Sequence, residues 1–288
     1  MNNNYLDEFI QNAFNEDIGE GDHTSFACIP NNTKGKAQLL IKQDGIIAGI
    51  EIAKKVFNKF DNNLLVETFI NDGKEVKIGD IAFTVEGKVV SILQTERIVL
   101  NIMQRMSGIA TQTNRYVEKI KDLKTKVLDT RKTTPGLRML EKEAVKIGGG
   151  VNHRMGLYDM IMIKDNHVDY SGGIKNAIKN TKEYLKNNNL DIKIEVEARS
   201  IDEVNEILKI GGINRIMLDN FTPDETKKAV EKINGKFETE SSGGINLETI
   251  RSYAECGVDY VSVGALTHNF QSLDMSLKAI DYGKLKKN

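Results

Sequence analysis

The sequence predicts an α/β protein whose larger part is a TIM-like α/β barrel. From about residue 126 onward, six short apolar segments alternate with helical patterns. This alternation is typical of a parallel sheet with right-handed crossovers. Most of the segments also end in a polar residue or a glycine, which favours a barrel over an open sheet. A complete barrel has eight strand–helix units, so six fall short of one.

The six predicted barrel strands carry polar groups at their carboxyl ends. They are KVLDTR (126–131), MIMIKDN (160–166), KIEVEAR (193–199), RIMLDN (215–220), FETESSGG (237–244) and YVSVGAL (260–266). Catalytic groups of such barrels lie at this end of the strands. We therefore expect one shared site formed by Arg131, Lys164, Glu197, Asp219, Ser241, Ser242 and Gly264.

The first part of the chain has the pattern of a smaller α+β domain. Residues 51–60 predict a helix, and residues 91–120 predict one long or broken helix with Gly108 as its joint. We place a domain boundary near that glycine, between domains 1–110 and 111–269. Residues 270–288 predict a C-terminal helix that packs back on the first domain. Four segments alternate as antiparallel strands do: 35–42, 45–49, 64–70 and 80–87.

Composition excludes several functional classes. The 288 residues carry a net charge of −1, so binding to nucleic acid or an anionic membrane through bulk charge is not expected. Cys28 and Cys256 stand far apart, which predicts a reducing compartment without a disulfide framework. No apolar run approaches transmembrane length, and the N-terminus lacks the pattern of a signal peptide. These features predict a cytoplasmic protein.

Five cationic or titratable residues gather in segment 129–167, around glycine-rich turns and a short apolar strand. They are Arg131, Lys132, His153, Arg154 and Lys164. Arginines can fork onto carboxylates or phosphates, and lysines add point charge, so the segment predicts a pocket for an anionic ligand. His153 and Arg154 follow a helix and precede a strand, so the run Gly148–Gly150 would have to bring them to the strand ends.

Two further patterns stand at the predicted strand ends. Glu197 and Asp219 end neighbouring strands, where they can hold a hard cation such as Mg²⁺ or cap the helices that follow. The glycines of SSGGI (241–245) and SVGA (262–265) end the last two strands, where barrels place a phosphate. Lys164 could instead form a Schiff base, as in aldolases.

The chain resembles the quinolinate phosphoribosyltransferase family over nearly its whole length. The resemblance is carried by DTRKT, GGGVNHR and IKDNH within 129–167, and by EDIGEGDHTS (16–25), ERIVLNIMQRMSGIAT (96–111), EVEARS (195–200), MLDNF (217–221), ESSGGI (240–245) and VDYVSVGALTH (258–268). It implies an incomplete TIM-like barrel preceded by an α+β open sandwich domain. It also implies a glycosyltransferase of NAD biosynthesis that joins quinolinate to phosphoribosyl pyrophosphate with loss of CO₂.

The resemblance also implies roles for individual residues. Lys132, Lys164, Glu197 and Asp219 would be catalytic, with Mg²⁺ on the last two, directly or through water. Quinolinate would be bound by Arg97, Arg131, Lys132, His153, Arg154 and Lys164. Phosphoribosyl pyrophosphate would contact Glu197, Asp219, Ser242, Gly243 and Gly264.

Assembly is implied by the same resemblance. Arg97 would cross a subunit boundary and complete the pocket of its neighbour, which requires a homodimer with shared sites and allows a hexamer. Independently, Ile98, Val99, Ile102, Met103 and Met106 repeat at helical spacing and form an apolar face that something must cover. The alternative is that the chain covers this face itself while Arg97 points to water.

Three other functions stay open from the sequence. One is a paralogue of the same fold that is associated with molybdenum transport and uses another acceptor. The second is a Schiff-base aldolase that uses Lys164. The third is a small-molecule-binding or carrier module, in which the cation constellation would have no clear purpose. Residues 71–87 resemble part of a lipoyl or biotinyl carrier fold, but the acceptor lysine is missing, so we interpret this as a shared strand–turn architecture. Intact Arg131, His153, Arg154 and Lys164 argue against the paralogue.

Overall fold

The computed structural model describes residues 3–281, which divide into two compact units. Within that range, the first unit contains residues 3–114, 135–149 and 270–281, and the second contains 115–134 and 150–269. The chain therefore leaves the second unit after residue 134 and re-enters it at residue 150.

Eight elements precede the long helix. They are α1 (Asn3–Asp17), α2 (His23–Cys28), β1 (Lys34–Ile41), β2 (Gly45–Ile46), α3 (Ile50–Phe60), β3 (Leu65–Thr68), β4 (Glu75–Val76) and β5 (Ile81–Lys88). The long helix and the elements up to the third parallel strand are α4 (Val89–Ile120), β6 (Lys126–Leu128), α5 (Arg138–Ile147), β7 (Met160–Ile163), α6 (Asp165–Ser171), α7 (Ile174–Asn187) and β8 (Lys193–Ala198). The remaining elements are α8 (Ile201–Ile210), β9 (Arg215–Asp219), α9 (Pro223–Ile233), β10 (Glu238–Ser242), α10 (Ile250–Ala254), β11 (Tyr260–Ser262), α11 (Ala265–His268) and β12 (Met275–Asp281).

The first unit is built on an antiparallel sheet with strand order β12-β1-β5-β3, and β2 pairs with β4 beside it. Along β1, Ala37, Leu39 and Ile41 are buried while the residues between them are partly exposed. This alternation is what a sheet with one buried face requires. Helix α3 supplies Phe57, whose ring meets that of Phe83 edge to face at 6.0 Å between centroids. The predicted antiparallel strands and the helix over 51–60 are confirmed.

The predicted helix over 270–288 is wrong within the described residues. Met275–Asp281 is instead strand β12, which pairs antiparallel with β1 so that Leu277 lies opposite Leu39. Burial alternates from Leu273 to Leu277, with period two rather than the helical period. The tail does join the first unit, as expected, but through main-chain hydrogen bonds. Residues 282–288 lie outside the described part of the chain.

Helix α4 is continuous, so Gly108 is not a joint. A Cβ atom on Gly108 would lie 2.3 Å from the carbonyl oxygen of Gln271. Glycine is needed here because a second backbone approaches the helix closely, not because the helix must bend. The division between the two units lies within this helix, after Asn114.

The second unit contains a six-stranded parallel sheet with strand order β6-β11-β10-β9-β8-β7. The predicted parallel strands are confirmed, and β6 and β7 stand at the two ends of this order. Crossover helices begin at well-formed caps. Ser200 accepts the Glu203 N–H at the start of α8, and Thr222 and Glu225 form a capping box around Pro223 at the start of α9. Each helix therefore starts directly after the strand end that precedes it.

Within residues 3–281, no helix combines the length and the apolar character that crossing a membrane would need.

Candidate active site

A cavity of about 760 Å³ lies at the carboxyl ends of the parallel strands in the second unit. It collects ten of the site residues predicted in that unit, namely Arg131, Lys132, His153, Arg154, Lys164, Glu197, Asp219, Ser242, Gly243 and Gly264. The strand-end argument therefore placed these groups in one chamber. Ser241 is buried in β10 and is not among the lining residues.

His153 and Arg154 reach the cavity because residues 151–153 run beside β6 as an additional edge segment. Val151 forms a parallel bridge with Leu128, and its N–H donates to the carbonyl oxygen of Val127 at 2.8 Å. The His153 N–H then donates to Oδ1 of the buried Asp129 at 2.8 Å. The return of the chain at residue 150 thus extends the parallel sheet, which brings both side chains level with the other strand ends.

Neither arginine of the cavity forms a close ion pair among the described residues, although the charges of Glu195 and Asp159 act on Arg154. Nε of Arg131 is buried without a hydrogen-bond partner there. Arg154 is 9% exposed, and burial together with the charge of Arg131 lowers its pKa. A guanidinium N–H that is buried and unpaired is costly. An anionic ligand that accepted from both arginines would remove this cost.

The two lysines of the cavity, Lys132 and Lys164, follow β6 and β7, the strands at the two ends of the parallel sheet. Nζ of Lys164 lies 3.5 Å from Oε2 of Glu197, and about half of the Lys164 side chain is exposed. Lys132 is exposed, and its carbonyl oxygen accepts the Thr267 hydroxyl at 2.8 Å. Both ammonium groups therefore add positive charge to the cavity.

Buried charges stand directly beneath the cationic wall. Nε2 of His153 lies 2.9 Å from Oε2 of Glu195 and 3.3 Å from Oε2 of Glu240. Nη1 of Arg215 lies 2.9 Å from the same Glu240 oxygen, and Nη2 lies 3.1 Å from Glu238. The Arg215 guanidinium also stacks over the Tyr260 ring, 4.1 Å from its centroid. The sequence did not lead us to expect a role for Glu195, Glu240 or Arg215 at the site.

The titratable groups of this buried cluster, Glu195, Glu240 and His153, influence the pKa values of one another. Burial raises the pKa of Glu195 to about 7, with the Glu240 charge adding to the rise. For Glu240, the hydrogen bond with His153 and the Arg215 charge outweigh burial and lower the pKa. Burial alone would lower the pKa of His153, but hydrogen bonds to Glu195 and Glu240 raise it to about 9. The cluster therefore holds a proton near neutral pH that belongs to several groups together.

A sequence signal for the buried cluster exists. Glu195 and Glu197 occupy alternate positions of KIEVEA, a strand that is otherwise apolar, and Glu240 lies within the next strand but one. Side chains two residues apart point to the same face of a strand. Carboxylates within a parallel strand, which is buried on both faces, require partners. Their partner His153 comes from a loop, so the pairing was not visible.

Glu197 and Asp219 project from adjacent strands, β8 and β9. Burial raises the pKa of Glu197, and the charge of Lys164 only partly offsets this while that of Asp219 adds to it. Burial also raises the pKa of Asp219, against which Lys164 and a hydrogen bond from the Asn220 amide act. A buried and a partly exposed carboxylate, both with raised pKa values, form an oxygen site that a hard cation would suit.

The glycines of the last two strand ends keep the cavity free of side chains. Gly243 has φ of +103°, and a Cβ atom there would lie 2.2 Å from Oδ1 of Asn220. A Cβ atom on Gly264 would lie 3.1 Å from Cδ of Lys132. Any larger residue at either position would therefore disturb a neighbouring cavity residue.

Arg97 belongs to the first unit and is not among the residues that line this cavity. Its side chain is exposed on α4, whereas Ile98, Val99, Ile102, Met103 and Met106 are all buried within the single chain. The apolar face of α4 therefore does not by itself require a second subunit.

Comparison with known proteins gives a consistent result. The family description "Quinolinate phosphoribosyl transferase, N-terminal domain" matches residues 22–107, and its C-terminal counterpart matches residues 109–278. A relative from Nicotiana glauca, named quinolinate phosphoribosyltransferase [decarboxylating] 2, mitochondrial, is 46% identical over 95% of this chain and 82% of its own length. A Bacillus subtilis relative, named probable nicotinate-nucleotide pyrophosphorylase [carboxylating], is 41% identical over 96% of this chain and 94% of its own.

Solved structures agree. The crystal structure of NadC from Streptococcus pyogenes covers 98% of this chain and 99% of its own, with a TM-score of 0.93 and 36% identity. The nicotinate-nucleotide pyrophosphorylase from Francisella tularensis gives a TM-score of 0.91 at 36% identity, with 97% and 98% covered. Both domain matches and these full-length similarities lead to one conclusion: the chain belongs to the quinolinate phosphoribosyltransferase family.

Proposed function

We propose that this chain transfers the phosphoribosyl group of phosphoribosyl pyrophosphate to quinolinate and releases one carboxylate as CO₂. The products are nicotinate mononucleotide, pyrophosphate and CO₂, and the reaction serves NAD biosynthesis. Among the structural observations, the buried, unpaired Nε of Arg131 beside Arg154 carries this proposal. Quinolinate bears two adjacent carboxylates, and the cavity offers two arginines and two lysines to receive them.

The acceptor in this proposal is held by the cationic wall. Arg131 and Arg154 fork onto the two carboxylates, and Lys132 and Lys164 add charge from either side. An acid with one carboxylate would leave a buried guanidinium unpaired, which is costly. The same wall holds the pyridine ring rigidly, so its nitrogen can face the sugar carbon from which pyrophosphate departs.

The phosphoribosyl donor is held at the opposite strand ends. Ser242, Gly243 and Gly264 offer a cavity surface without bulky side chains to its 5′-phosphate. Glu197 and Asp219 face the ribose, where positive charge develops as the bond to pyrophosphate breaks. Their carboxylates stabilise that charge. Loss of the ring-adjacent carboxylate then follows with the pyridinium nitrogen as electron sink.

Mg²⁺ belongs to this proposal as the cofactor, and the donor set fits it. Glu197 and Asp219 supply hard oxygen ligands on adjacent strands, directly or through water, and burial raises the pKa of both despite the nearby charge of Lys164. When bound, Mg²⁺ would supply charge stabilisation for the departing pyrophosphate.

The test is direct. We expect the purified protein with Mg²⁺ to form nicotinate mononucleotide from quinolinate and phosphoribosyl pyrophosphate. With nicotinate in place of quinolinate, kcat/KM should fall at least ~100-fold, as sites built for a polar group reject analogues that lack it. Product formation is followed by chromatography and CO₂ release. Comparable activity on both acids would contradict the proposed pocket, and no product from either would contradict the function.

The aldolase alternative is not favoured by the geometry. A Schiff-base lysine needs a desolvated environment that lowers its pKa. The Lys164 side chain is about half exposed and stands next to Glu197, 3.5 Å away. Borohydride trapping with a carbonyl substrate would reveal such an intermediate. We expect none.

Shared active sites remain part of the proposal through Arg97. Its exposed side chain is available to a second copy of the chain, and we propose a two-fold homodimer in which each Arg97 completes the other pocket. A hexamer of such dimers is compatible with it. The chain is proposed to act in the cytoplasm, where free Cys28 and Cys256 stay reduced.

We expect Arg97→Ala to raise the KM for quinolinate while the protein stays dimeric. The Lys132→Ala variant should be inactive because the cavity of its own subunit lacks this lysine. If sites are shared, a heterodimer of the two variants places both defects in one pocket and leaves the other intact, so activity returns in part. The measurement is activity after dissociation and reassociation, with heterodimer content checked by mass spectrometry. No recovery with heterodimer present would mean that Arg97 serves its own subunit.

A further inference from the structure

The buried charges at the floor of the cavity, which Glu240 lines, take no part in the proposed substrate contacts. Glu195 and Glu240 are both 0% exposed, and carboxylates are rarely buried so completely without a function or a partner. Neither residue is assigned a role in the proposed reaction. Their only close cationic or titratable neighbours among the described ion pairs are His153 and Arg215.

His153 connects these carboxylates to Arg154. Its Nε2 faces Glu195 and Glu240 at 2.9 and 3.3 Å. Its Nδ1 accepts the backbone N–H of Arg154 at 2.7 Å. A nitrogen that accepts an N–H carries no proton, so this contact places the ring hydrogen on Nε2 and leaves the shared proton of the cluster on the carboxylate side of the ring. Both ring nitrogens therefore face protein groups.

The backbone around Arg154 is held at several further points. The His153 N–H donates to Oδ1 of Asp129 at 2.8 Å, and Nη1 of Arg154 donates to the carbonyl oxygen of Met160 at 3.1 Å. Rotation of the imidazole would remove the partner of the Arg154 N–H and loosen the start of this side chain. The direction of the Arg154 fork thus depends on what holds the ring.

We propose that Glu195 and Glu240 are positioning residues of the anion cavity, which orient His153 and through it fix Arg154 for a substrate carboxylate. This proposal rests on the proposed function for the identity of the substrate. Arg215 places a guanidinium 2.9 Å from Glu240, so it belongs to the same arrangement. His153 serves the pocket through the backbone of Arg154 rather than through a free ring nitrogen.

A metal ion is the competing occupant of this cluster. The ligand atoms of His153, Glu195 and Glu240 lie within 4.8 Å of one another. However, Nε2 and the Glu195 carboxylate already lie 2.9 Å apart, within ion-pair distance of each other. Arg215 already provides a cation at 2.9 Å from Glu240. A stoichiometric transition metal in the purified protein would overturn the positioning role.

The experiment compares two variants at one position. Glu195→Gln keeps an oxygen beside Nε2, whereas Glu195→Ala removes it. We expect Glu195→Ala to raise the KM for quinolinate roughly 10- to 100-fold, as loss of an orienting partner does. The KM for phosphoribosyl pyrophosphate should stay within about twofold, because Glu195 pairs with His153, whereas Glu197, the proposed ligand of that substrate on the same strand, pairs with Lys164. Glu195→Gln should restore the KM for quinolinate to near the unmodified value.

The matched control is Glu238→Gln, at the outer end of the same charge cluster. Glu238 contacts Arg215 but not His153, and we expect no change in either KM. Equal rises in both KM values for Glu195→Ala, or failure of Glu195→Gln to restore binding, would overturn the proposal. Thermal melting of every variant shows whether the fold is retained. If Glu195→Ala does not fold, His153→Phe removes the same contact with similar volume and should give the same selective rise.

A spectroscopic measurement separates this inference from the proposed function. In ¹H–¹⁵N spectra of the ligand-free protein, the Arg154 backbone amide should move upfield in Glu195→Ala and stay in place in Glu238→Gln, because its hydrogen bond to Nδ1 weakens only in the first. An unmoved Arg154 amide would refute the positioning role even in an active enzyme. Absence of turnover in the unmodified protein would instead refute the function.

Discussion

Arg131→Ala should abolish most activity on quinolinate while leaving the ligand-free protein at least as stable as before. Truncating one partner of a buried charge pair costs about 2–5 kcal/mol, which corresponds to roughly 30- to 5,000-fold in kcat/KM. In the ligand-free protein, however, Nε of Arg131 is buried without a partner among the described residues, and its charge lowers the pKa of Arg154. Removal of the guanidinium therefore relieves two unfavourable interactions.

The measurement combines steady-state kinetics with thermal melting. Arg131→Lys is the matched control, since it keeps the positive charge and loses the two-pronged fork. We expect it to fall between the other two proteins in kcat/KM for quinolinate. Quinolinate itself should raise the melting temperature of the unmodified protein by mass action and have little effect on Arg131→Ala. A variant that melts well below the unmodified protein and still turns over quinolinate would show that Arg131 is structural.

Glu197→Gln combined with Asp219→Asn should remove turnover and the dependence on Mg²⁺ together. Loss of a group that stabilises developing charge typically costs about 10²–10³-fold in kcat, and this double change removes both carboxylates. The side chains stay nearly the same in size, so the cavity should keep its shape. We expect EDTA to abolish the turnover of the unmodified protein and Mg²⁺ or Mn²⁺ to restore that turnover. Full activity of the double variant would reject these two residues as the ribose and metal ligands.

Stability gives a second readout for the same carboxylates. Burial raises the pKa of both, so the ligand-free folded state binds protons more tightly than the unfolded chain. A carboxyl with a raised pKa therefore lowers the free energy of unfolding as pH rises from its unfolded pKa through its folded one. At neutral pH and without metal, the neutral double variant should melt above the unmodified protein. Mg²⁺ should raise the melting temperature of the unmodified protein only.

Much of the barrel could be predicted because its strands have a recognisable local sequence pattern. Segments such as MIMI and RIML are short and apolar, and each leads into a polar residue and a helix. Parallel strands share one carboxyl edge, so Arg131, Lys164, Glu197 and Asp219 could be assigned to one site without a structure. The same reasoning failed at β12, where burial alternates with period two but the segment was taken for a helix.

Long-range pairing accounts for what the sequence did not show. Gly108 looked like a helix joint, but its lack of a side chain admits the backbone of Gln271, a residue far away in the chain. The turn after α5 could not be traced, although residues 151–153 follow β6 as an edge segment. Both features depend on which distant backbone comes close, and no local pattern of hydrophobicity records that.

The sequence by itself determined the family, the order of the strands along the chain and nearly all residues of the candidate site in the second unit. Only the tertiary structure decided how His153 and Arg154 enter that site and what lies beneath them. Glu195, Glu240 and Arg215 come from three strands, and they meet His153 of a returning loop in a buried charge cluster. Each of these charges would be unstable in the interior alone. Their stability depends on partners that only the folded chain brings within hydrogen-bond distance.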